Sequence, residues 1–430
     1  MKKLLIAATV VLVSSSPLVL LPMEKELALT PKQVQKLTQN TTASLSQFKQ
    51  IPKNPRTITN ILTYKNKELT EFKTSIQADT KLSISAIFWN AKGEPVFQLQ
   101  DGDYIAASQK SIVDDSIYNQ KPVDMIFWTK DGLTVYKEPY VLGTEKAESK
   151  LASFKPIKVS QAAQTHAGTY YLVDGEGWIN ASDLSTTDNR IESVQKVLNE
   201  KYNNPERISV YVKQLDTNRV AAINDEKSMY AASVAKLGVL YYAQERLSQK
   251  KLALSDEYQY TSAVNGFPGA YDPDGSGKIS KMPDDKNYSL ENLLKAVAQN
   301  SDNVATNILG YYVANQYDKA FQKSVDKAAA TSWNMDKKEL TARAAGTLME
   351  AVYRQNGDII NYLSSTDYDG ERISKNIDVP VAHKIGDAYD FKHDVAIVYA
   401  DSPFILSIFT DKEGYDKITS IADDVYGILK

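Results

Sequence analysis

Hydrophobic and polar positions follow three different patterns along the chain, and each pattern predicts a different structure. Residues 4–22 are mostly apolar, residues from about 56 to 185 contain stretches of strict alternation such as Ser83–Trp89, and the remainder mixes helical periodicity with strands. Alternation interrupted by Gly-containing turns at short intervals is typical of small all-β modules. The chain is therefore predicted to be an α+β protein with an all-β region before a mixed domain.

The mixed domain, 187–430, has strands at both ends and helices in the middle. A helix over Arg190–Tyr202 precedes an apparent hairpin formed by Ile208–Val212 and Arg219–Ile223. Helical patterns follow at 232–247, 290–298, 305–313 and 341–354, strands at 395–399 and 404–409, and a last helix at about 417–429. This order predicts one antiparallel sheet completed by both ends of the domain and covered by helices.

The all-β region contains an internal repeat. Gln100–Ser108 is similar to Val173–Ser182, with Tyr104 matched to Trp178, so we predict two tandem modules, 56–113 and 114–186. The modules resemble bacterial SH3-like and GW-type cell-wall modules, which implies a cell-wall polymer as a partner. The alternative interpretation is that Tyr104 and Trp178 are core aromatic residues of a hairpin.

The N-terminus has the pattern of an export segment. Two lysines at positions 2 and 3 precede the apolar run, as in a signal peptide, but no small-x-small cleavage site follows it clearly. A cleaved signal and a retained membrane anchor over 1–28 are both open interpretations. Either predicts an extracytoplasmic protein, secreted or anchored to the membrane, with a helical or linker segment at 29–55.

Composition excludes several classes of function. The chain has 50 basic and 53 acidic residues, which argues against a nucleic-acid partner, and no cysteine, which excludes disulfides and a cysteine nucleophile. The segment Asp272–Ile279 is similar to the start of a calcium loop, but Pro283 stands where a glutamate ligand is required. His383 and His393 lack a third ligand for a metal site. We therefore predict no metal and no cofactor.

One Ser-x-x-Lys sequence stands out among five in the chain. Ser233-Val234-Ala235-Lys236 alone opens an apolar helical stretch, whereas the other four lie in polar surroundings. Lys236 is one helical turn after Ser233 and on the same face. A lysine among apolar neighbours has a lowered pKa and accepts the serine proton, which predicts a serine nucleophile.

Two further motifs follow in the chain. Ser301-Asp302-Asn303 lies between two helical patterns, where Ser301 is a candidate proton relay and Asn303 a candidate ligand for a substrate carbonyl or for the lysine. A helix N-cap is the alternative interpretation. Lys384-Ile385-Gly386 is predicted on an inner strand, with Gly386 allowing a substrate backbone to approach closely.

These motifs, in this order, make residues from about 188 to 430 similar to the class A β-lactamase and penicillin-binding-protein family. The resemblance implies an acyl-enzyme mechanism on a β-lactam, a cell-wall peptide or a related amide or ester. It implies these roles: Ser233 as the acylated nucleophile, Lys236 as general base, Ser301 as proton relay, Asn303 as a further catalytic residue, Lys384 as partner of a substrate carboxylate, Ile385 and Gly386 as substrate-binding positions, and the backbone N–H groups of Ser233 and Asp387 as the oxyanion hole.

The chain also departs from the family pattern. Ile385 replaces the threonine or serine that binds the β-lactam carboxylate, and no Glu-x-x-Leu-Asn sequence provides a deacylation base, with Glu339 as the nearest substitute. No arginine follows Lys384, so Arg372 is the nearest candidate for binding a carboxylate. We therefore predict weak or no β-lactam turnover. The alternative hypothesis is a non-catalytic cell-wall-binding protein that uses this fold as a platform.

Overall fold

The computed structural model describes residues 46–430. The predicted export segment, 1–28, and most of the predicted linker, 29–55, lie outside the described residues. Contacts divide the chain into two compact units, with the boundary between Ser116 and Ile117. A search for membrane-spanning helices within 46–430 finds none of sufficient length and apolar character.

The first unit is built from short antiparallel strands. Its strands are β1 Pro55–Thr57, β2 Ile61–Tyr64, β3 Phe72–Ile76, β4 Ile84–Trp89, β5 Pro95–Leu99, β6 Tyr104–Ala106 and β7 Ile112–Asp114. Five of them form a sheet in the order β3-β2-β6-β5-β4, and β1 pairs with β7. Phe97 and Ile105 are fully buried at the centre of its core.

The second unit opens with a six-stranded sheet. Its strands are β8 Asn119–Thr129, β9 Val135–Tyr136, β10 Pro156–Thr165, β11 Gly168–Val173, β12 Gly177–Asn180 and β13 Leu184–Ser185, in the order β13-β8-β10-β11-β12-β9. A 3-10 turn, Ala181–Asp183, separates the last two strands.

The aromatic residues of the internal repeat occupy matching positions in these two sheets. Tyr64 of β2 pairs across strands with Tyr104 of β6, and Tyr136 of β9 pairs with Trp178 of β12. Trp178 is buried against Tyr170, as the core-aromatic interpretation expects. The likeness to SH3-like modules stays a prediction.

The rest of the second unit is an α+β domain. Its strands are β14 Ile208–Gln214, β15 Val220–Ile223, β16 Met229–Tyr230, β17 Glu257–Gln259, β18 Asn287–Ser289, β19 Glu339–Leu340, β20 Val381–Ala388, β21 Phe391–Val398 and β22 Phe404–Asp411. Its helices are α1 Arg190–Val197, α2 Leu237–Ser248, α3 Leu290–Asn300, α4 Asn303–Ile308, α5 Lys319–Ala329, α6 Ala342–Gln355, α7 Asp358–Tyr362 and α8 Tyr415–Leu429. Single turns of π-helix, Leu198–Tyr202 and Leu309–Val313, extend α1 and α4.

One antiparallel sheet in the order β15-β14-β22-β21-β20 organises this domain. The prediction that both ends of the domain complete the sheet is confirmed. Alternate residues of β14 enter two apolar clusters: Tyr211 faces the cluster containing α2, α3 and α6, and Val210 and Val212 face the cluster containing α1 and α8. Burial of both faces explains why β14 has apolar residues on both of its faces.

The prediction that Lys384-Ile385-Gly386 lies on an inner strand is wrong. The motif is on β20, which ends the strand order and pairs only with β21 in that sheet. The position of the motif before the final strands suggested an inner strand, and β20 is buried throughout its first six residues as an inner strand would be. On the edge away from β21, other segments cover it, among them the segment around Ser233.

Candidate active site

Ser233 lies in a 3-10 turn, Ala232–Lys236, which leads directly into α2. The turn begins with Ala232 in the left-handed region, at φ +49°. Tyr271 holds this turn by donating a hydrogen bond from its hydroxyl to the carbonyl of Ala232 at 3.2 Å. The Ser233 side chain is nearly buried, and its hydroxyl makes no hydrogen bond to any side chain or backbone group among residues 46–430.

Lys236 is fully buried and points to the Ser301-Asp302-Asn303 motif. Its Nζ donates hydrogen bonds of 2.6 Å to both the carbonyl of Ser301 and Oδ1 of Asn303. It also lies 3.4 Å from the Ser301 hydroxyl. Of the two sequence-based interpretations of Asn303, the structure therefore favours binding of the lysine.

Burial is the main cause that lowers the pKa of Lys236 well below its ordinary value of 10.5. The positive charge of Lys384 acts in the same direction, Asp302 opposes it, and Lys338 and Lys281 lower the pKa further. The environment therefore favours the neutral amine, which is the form that accepts a proton.

The local backbone directs Ser301 into the site. Ser301 ends α3 in the left-handed conformation, at φ 54° and ψ 37°, and Asp302 then begins α4 as its N-cap, accepting from Ala305 N–H at 2.8 Å. The N-cap interpretation is thus confirmed for Asp302, while Ser301, which precedes it, points to the buried lysines. The sharp turn places the Ser301 hydroxyl 2.8 Å from Nζ of Lys384, which donates to it.

The segment that is similar to a calcium loop supports the second motif instead. The carboxylate of Asp302 accepts hydrogen bonds from the N–H groups of Lys278 and Ile279 at 2.6 and 2.8 Å. A Cβ on Gly277 would lie 2.3 Å from that carboxylate, so only glycine fits there. The loop therefore fixes the second motif in position.

Lys384 is buried with Nζ between the Ser301 hydroxyl and the carbonyl of Ile385, at 2.8 and 3.0 Å. Burial lowers the pKa of Lys384 to about 7, with Asp394 opposing this change and Arg372 adding to it. Lys384 is thus a second lysine that releases its proton readily.

Gly386 brings β20 against the Ser233 turn. A Cβ at this position would lie 2.6 Å from the carbonyl of Ala231 and 3.0 Å from the side chain of Val234. The structure thus gives a second reason for the glycine, contact with the segment that carries Ser233, and the predicted approach of a substrate backbone stays a prediction. The glycine sets the distance between the first and third motifs.

The N–H of Asp387 points away from β21. His383 donates its N–H to the carbonyl of Leu363 at 2.9 Å, outside the sheet, and amide directions alternate along a strand. Asp387, four residues later on β20, therefore has its N–H on the same outer edge as His383. This is the edge that faces the Ser233 turn, as the oxyanion-hole assignment requires.

The side chain of Asp387 belongs to an ion-pair cluster. It bonds Arg372 at 2.8 Å, Lys392 at 2.5 Å and the hydroxyl of Tyr415. The guanidinium of Arg372 also pairs with Glu371 and lies over the Tyr415 ring. Arg372, predicted as the nearest candidate for binding a substrate carboxylate, is therefore already paired with two carboxylates.

Glu339, the nearest substitute for a deacylation base, lies in β19, where it pairs with Tyr230 and is exposed. Helix α6 starts three residues later and is capped by Thr341. None of the carboxylates within 46–430 forms an ion pair with Lys236 or Lys384. Ile385, which lacks the family hydroxyl, is buried.

The two histidines near the third motif have structural partners. His383 lies between the carboxylates of Asp394 and Asp369, at 3.0 and 3.1 Å. His393 accepts from Thr410 N–H at Nδ1, so its Nε2–H donates to the carbonyl of Tyr230 at 2.9 Å. No cluster of three or more potential metal ligands is found in the described part of the chain.

Two residues of the site lie outside the three motifs. Tyr271 and Lys338 are buried beside the Ser233 turn, and Nζ of Lys338 donates to the carbonyl of Gly269 at 3.0 Å. Neither residue belongs to a spaced motif, and a lysine in a polar segment is ordinarily exposed. The one signal for Tyr271 is its position immediately before the loop that supports Asp302.

Two protein-family models match parts of the chain. Residues 189–429 match the model of the beta-lactamase enzyme family, and residues 48–113 match a domain of unknown function, DUF5776. No curated protein matches the chain.

Solved structures similar to the chain include PBP-A, at 15% identity and a TM-score of 0.46, covering 56% of this chain and 95% of that one. A β-lactamase from Sphaerobacter thermophilus has 15% identity and a TM-score of 0.45, covering 55% and 94%. The TLA-1 extended spectrum β-lactamase has 19% identity and a TM-score of 0.45, covering 56% and 99%. Because the family model spans more than half of its length, the chain belongs to the beta-lactamase enzyme family, a family of serine hydrolases.

Proposed function

We propose that the protein is a serine hydrolase or acyltransferase that forms an acyl-enzyme at Ser233. The observation that carries the proposal is the convergence of three distant motifs in one buried hydrogen-bonded group. Lys236 contacts Ser301 and Asn303, and Lys384 contacts Ser301, while Gly386 lies against the segment of Ser233. Burial of two lysines without a carboxylate partner is costly, and a catalytic role accounts for it.

In the proposed acylation step, the residues of the three motifs transfer protons and stabilise the oxyanion. Neutral Lys236 accepts the proton of Ser233, and Oγ attacks the carbonyl carbon of an amide or ester. The N–H groups of Ser233 and Asp387 stabilise the oxyanion. When the carbon–nitrogen or carbon–oxygen bond breaks, Ser301 donates its proton to the leaving group and is reprotonated by one of the two lysines that contact it.

Deacylation is proposed to be slow. It requires a base that activates water, and Glu339, the nearest candidate from the sequence, is exposed and paired with Tyr230 in a short strand. An enzyme that acylates without such a base retains its acyl group. We therefore infer weak or no β-lactam turnover and an acyl-enzyme that accumulates.

The proposed substrates are cell-wall peptides, β-lactams or related amides and esters. Ile385 has no hydroxyl for a substrate carboxylate, and Arg372 is paired with Asp387 and Glu371, so binding of β-lactams should be weakened. The apolar N-terminus supports an extracytoplasmic location, and the β modules are proposed to bind a cell-wall polymer. Fractionation of cells that produce the full chain tests the location.

Mass spectrometry after treatment with a fluorescent penicillin or a fluorophosphonate tests the acylation proposal. We expect one adduct, on Ser233, and none in Ser233→Ala. Ser248→Ala is the matched control, because Ser248 begins another Ser-x-x-Lys sequence but is exposed. Absence of an adduct in the folded wild-type protein would favour the non-catalytic platform, and fast hydrolysis of nitrocefin would contradict slow deacylation.

A further inference from the structure

Lys338 is a buried lysine without a carboxylate partner. Lys338 is 6% exposed, and its Nζ forms no ion pair with any residue within 46–430. Its contacts are the carbonyl of Gly269 at 3.0 Å and the ring of Tyr271, whose centre is 4.5 Å away. A buried ammonium with so little compensation is unfavourable for stability, so its position calls for an explanation.

The Tyr271 ring contacts both this lysine and the proposed base. Nζ of Lys236 is also 4.5 Å from the ring centre, so the two amines are at most about 9 Å apart. Tyr271 is itself buried, and burial raises its pKa well above 10.0, so the ring stays neutral. Water is excluded from the space that the ring fills, which strengthens the repulsion that the Lys338 charge exerts on a protonated Lys236.

The backbone fixes Lys338 beside the nucleophile. The carbonyl of Lys338 accepts a hydrogen bond of 2.7 Å from the N–H of Ala231, two residues before Ser233. Lys338 has φ +53°, a left-handed conformation that is uncommon for a residue with a side chain. A strained backbone of this kind persists where the surroundings hold it, and such residues concentrate at functional sites.

We propose that Lys338 is a positioning residue that acts through Lys236: its positive charge, held against the same Tyr271 ring, keeps the amine of Lys236 in the neutral form that accepts the proton of Ser233. The inference rests on the proposed function, because it assigns a task to Lys338 only if Lys236 is the base. It explains how a lysine that donates two hydrogen bonds is nevertheless available as a base near neutral pH.

Other charged groups around Lys236 and Lys338 also affect whether each amine is charged or neutral. Lys384 and Lys281 also disfavour the charged form of Lys236, and Asp302 favours it. Asp302 is occupied by three backbone N–H groups, those of Lys278, Ile279 and Ala305. Facing Lys338 itself, Asp336 partly offsets the burial that lowers its pKa.

The test is the pH dependence of the rate at which a fluorophosphonate modifies Ser233. Removing a charge about 9 Å away in a site of intermediate dielectric should raise the midpoint of the acidic limb by about one pH unit. We therefore expect Lys338→Met and Lys338→Gln to react about tenfold more slowly below that midpoint. Lys338→Arg, which keeps the charge, should retain the wild-type profile.

Lys337→Met is the matched control, because Lys337 is the exposed neighbour and its removal changes the net charge equally. An unchanged profile in Lys338→Met, or an equal shift in Lys337→Met, would overturn the inference and leave the proposed function intact. No adduct in the wild-type protein at any pH would instead overturn the proposed function.

If both neutral variants fail to fold, NMR titration of lysine side chains in the wild-type protein decides. A charged Lys338 beside a neutral Lys236 at pH 8 supports the inference, whereas a neutral Lys338 contradicts it.

Discussion

Lys384 donates a hydrogen bond to the hydroxyl of Ser301 at 2.8 Å, joining two motifs that lie 83 residues apart. Ser301 is held for this contact by a left-handed backbone at the junction of α3 and α4. The hydroxyl receives one lysine at 2.8 Å and a second, Lys236, at 3.4 Å. It is therefore placed to receive a proton from either lysine and to pass one on.

Ser301→Ala is expected to slow acylation of Ser233 by about 100-fold, the lower range for loss of a proton-transfer group. The measurement is the second-order rate of adduct formation with a fluorescent penicillin. The control is Ser280→Ala, which removes an exposed serine from the neighbouring loop. Equal rates in wild-type and Ser301→Ala protein would exclude a proton-relay role for Ser301.

The candidate site and the strands of the main sheet could be predicted from the sequence because each depends on a local pattern of residues. Short, mainly apolar runs identified β14, β21 and β22, and the chemistry of serine, lysine and asparagine at fixed spacing identified the candidate site. The edge position of β20 was missed because strand order depends on pairing between distant segments. Lys338 was missed because its side chain is buried against residues distant in the chain, Gly269 and Tyr271, a contact that no periodicity marks.

Gly386→Ala is expected to disturb the distance between β20 and the Ser233 turn. The new methyl group would lie 2.6 Å from the carbonyl of Ala231, a backbone atom with little freedom to move. We expect a loss of about 1–3 kcal/mol in the free energy of unfolding, typical of an overpacked core, together with slower acylation. Chemical denaturation measures the first effect and probe labelling the second.

Gly427→Ala is the control for the Gly386 prediction. Gly427 is exposed in α8, and a Cβ there meets no atom within 4 Å. The substitution should stabilise the protein by up to about 1 kcal/mol through helix propensity. Similar losses of stability in both variants would show that the contact with Ala231 is not the cause.

Ile385→Thr is expected to restore part of the affinity for β-lactams. The substitution adds the hydroxyl that the family uses to bind the substrate carboxylate. A hydrogen bond from this hydroxyl, contributing about 1 kcal/mol, should make acylation by penicillin roughly fivefold to tenfold faster. Because Ile385 is buried, the variant should also lose about 1–3 kcal/mol of stability. Ile385→Val is the control, since it removes a methyl group without adding a hydroxyl. A gain of equal size in that variant would show that side-chain volume is responsible.

His383 makes the stability of the protein depend on pH in a defined direction. Burial lowers the pKa of His383, but the charges of Asp394 and Asp369 outweigh burial and raise it from 6.5 to about 9. A group with a raised pKa in the folded state stabilises that state fully below its unfolded pKa. Its contribution should therefore be complete below about pH 6.5 and decline as the pH rises to about 9.

We expect this decline to amount to about 3 kcal/mol, measured as the free energy of unfolding in denaturant at pH 6 and pH 9. His383→Gln keeps hydrogen-bonding capacity without the titrating charge and should be less stable at pH 6, with a smaller change between the two values. His166 is an exposed histidine in the described chain, and His166→Gln controls for the loss of a histidine. A wild-type protein that becomes more stable between pH 6.5 and 9, or a His383→Gln variant with the full wild-type decline, would contradict a charged His383 between Asp394 and Asp369.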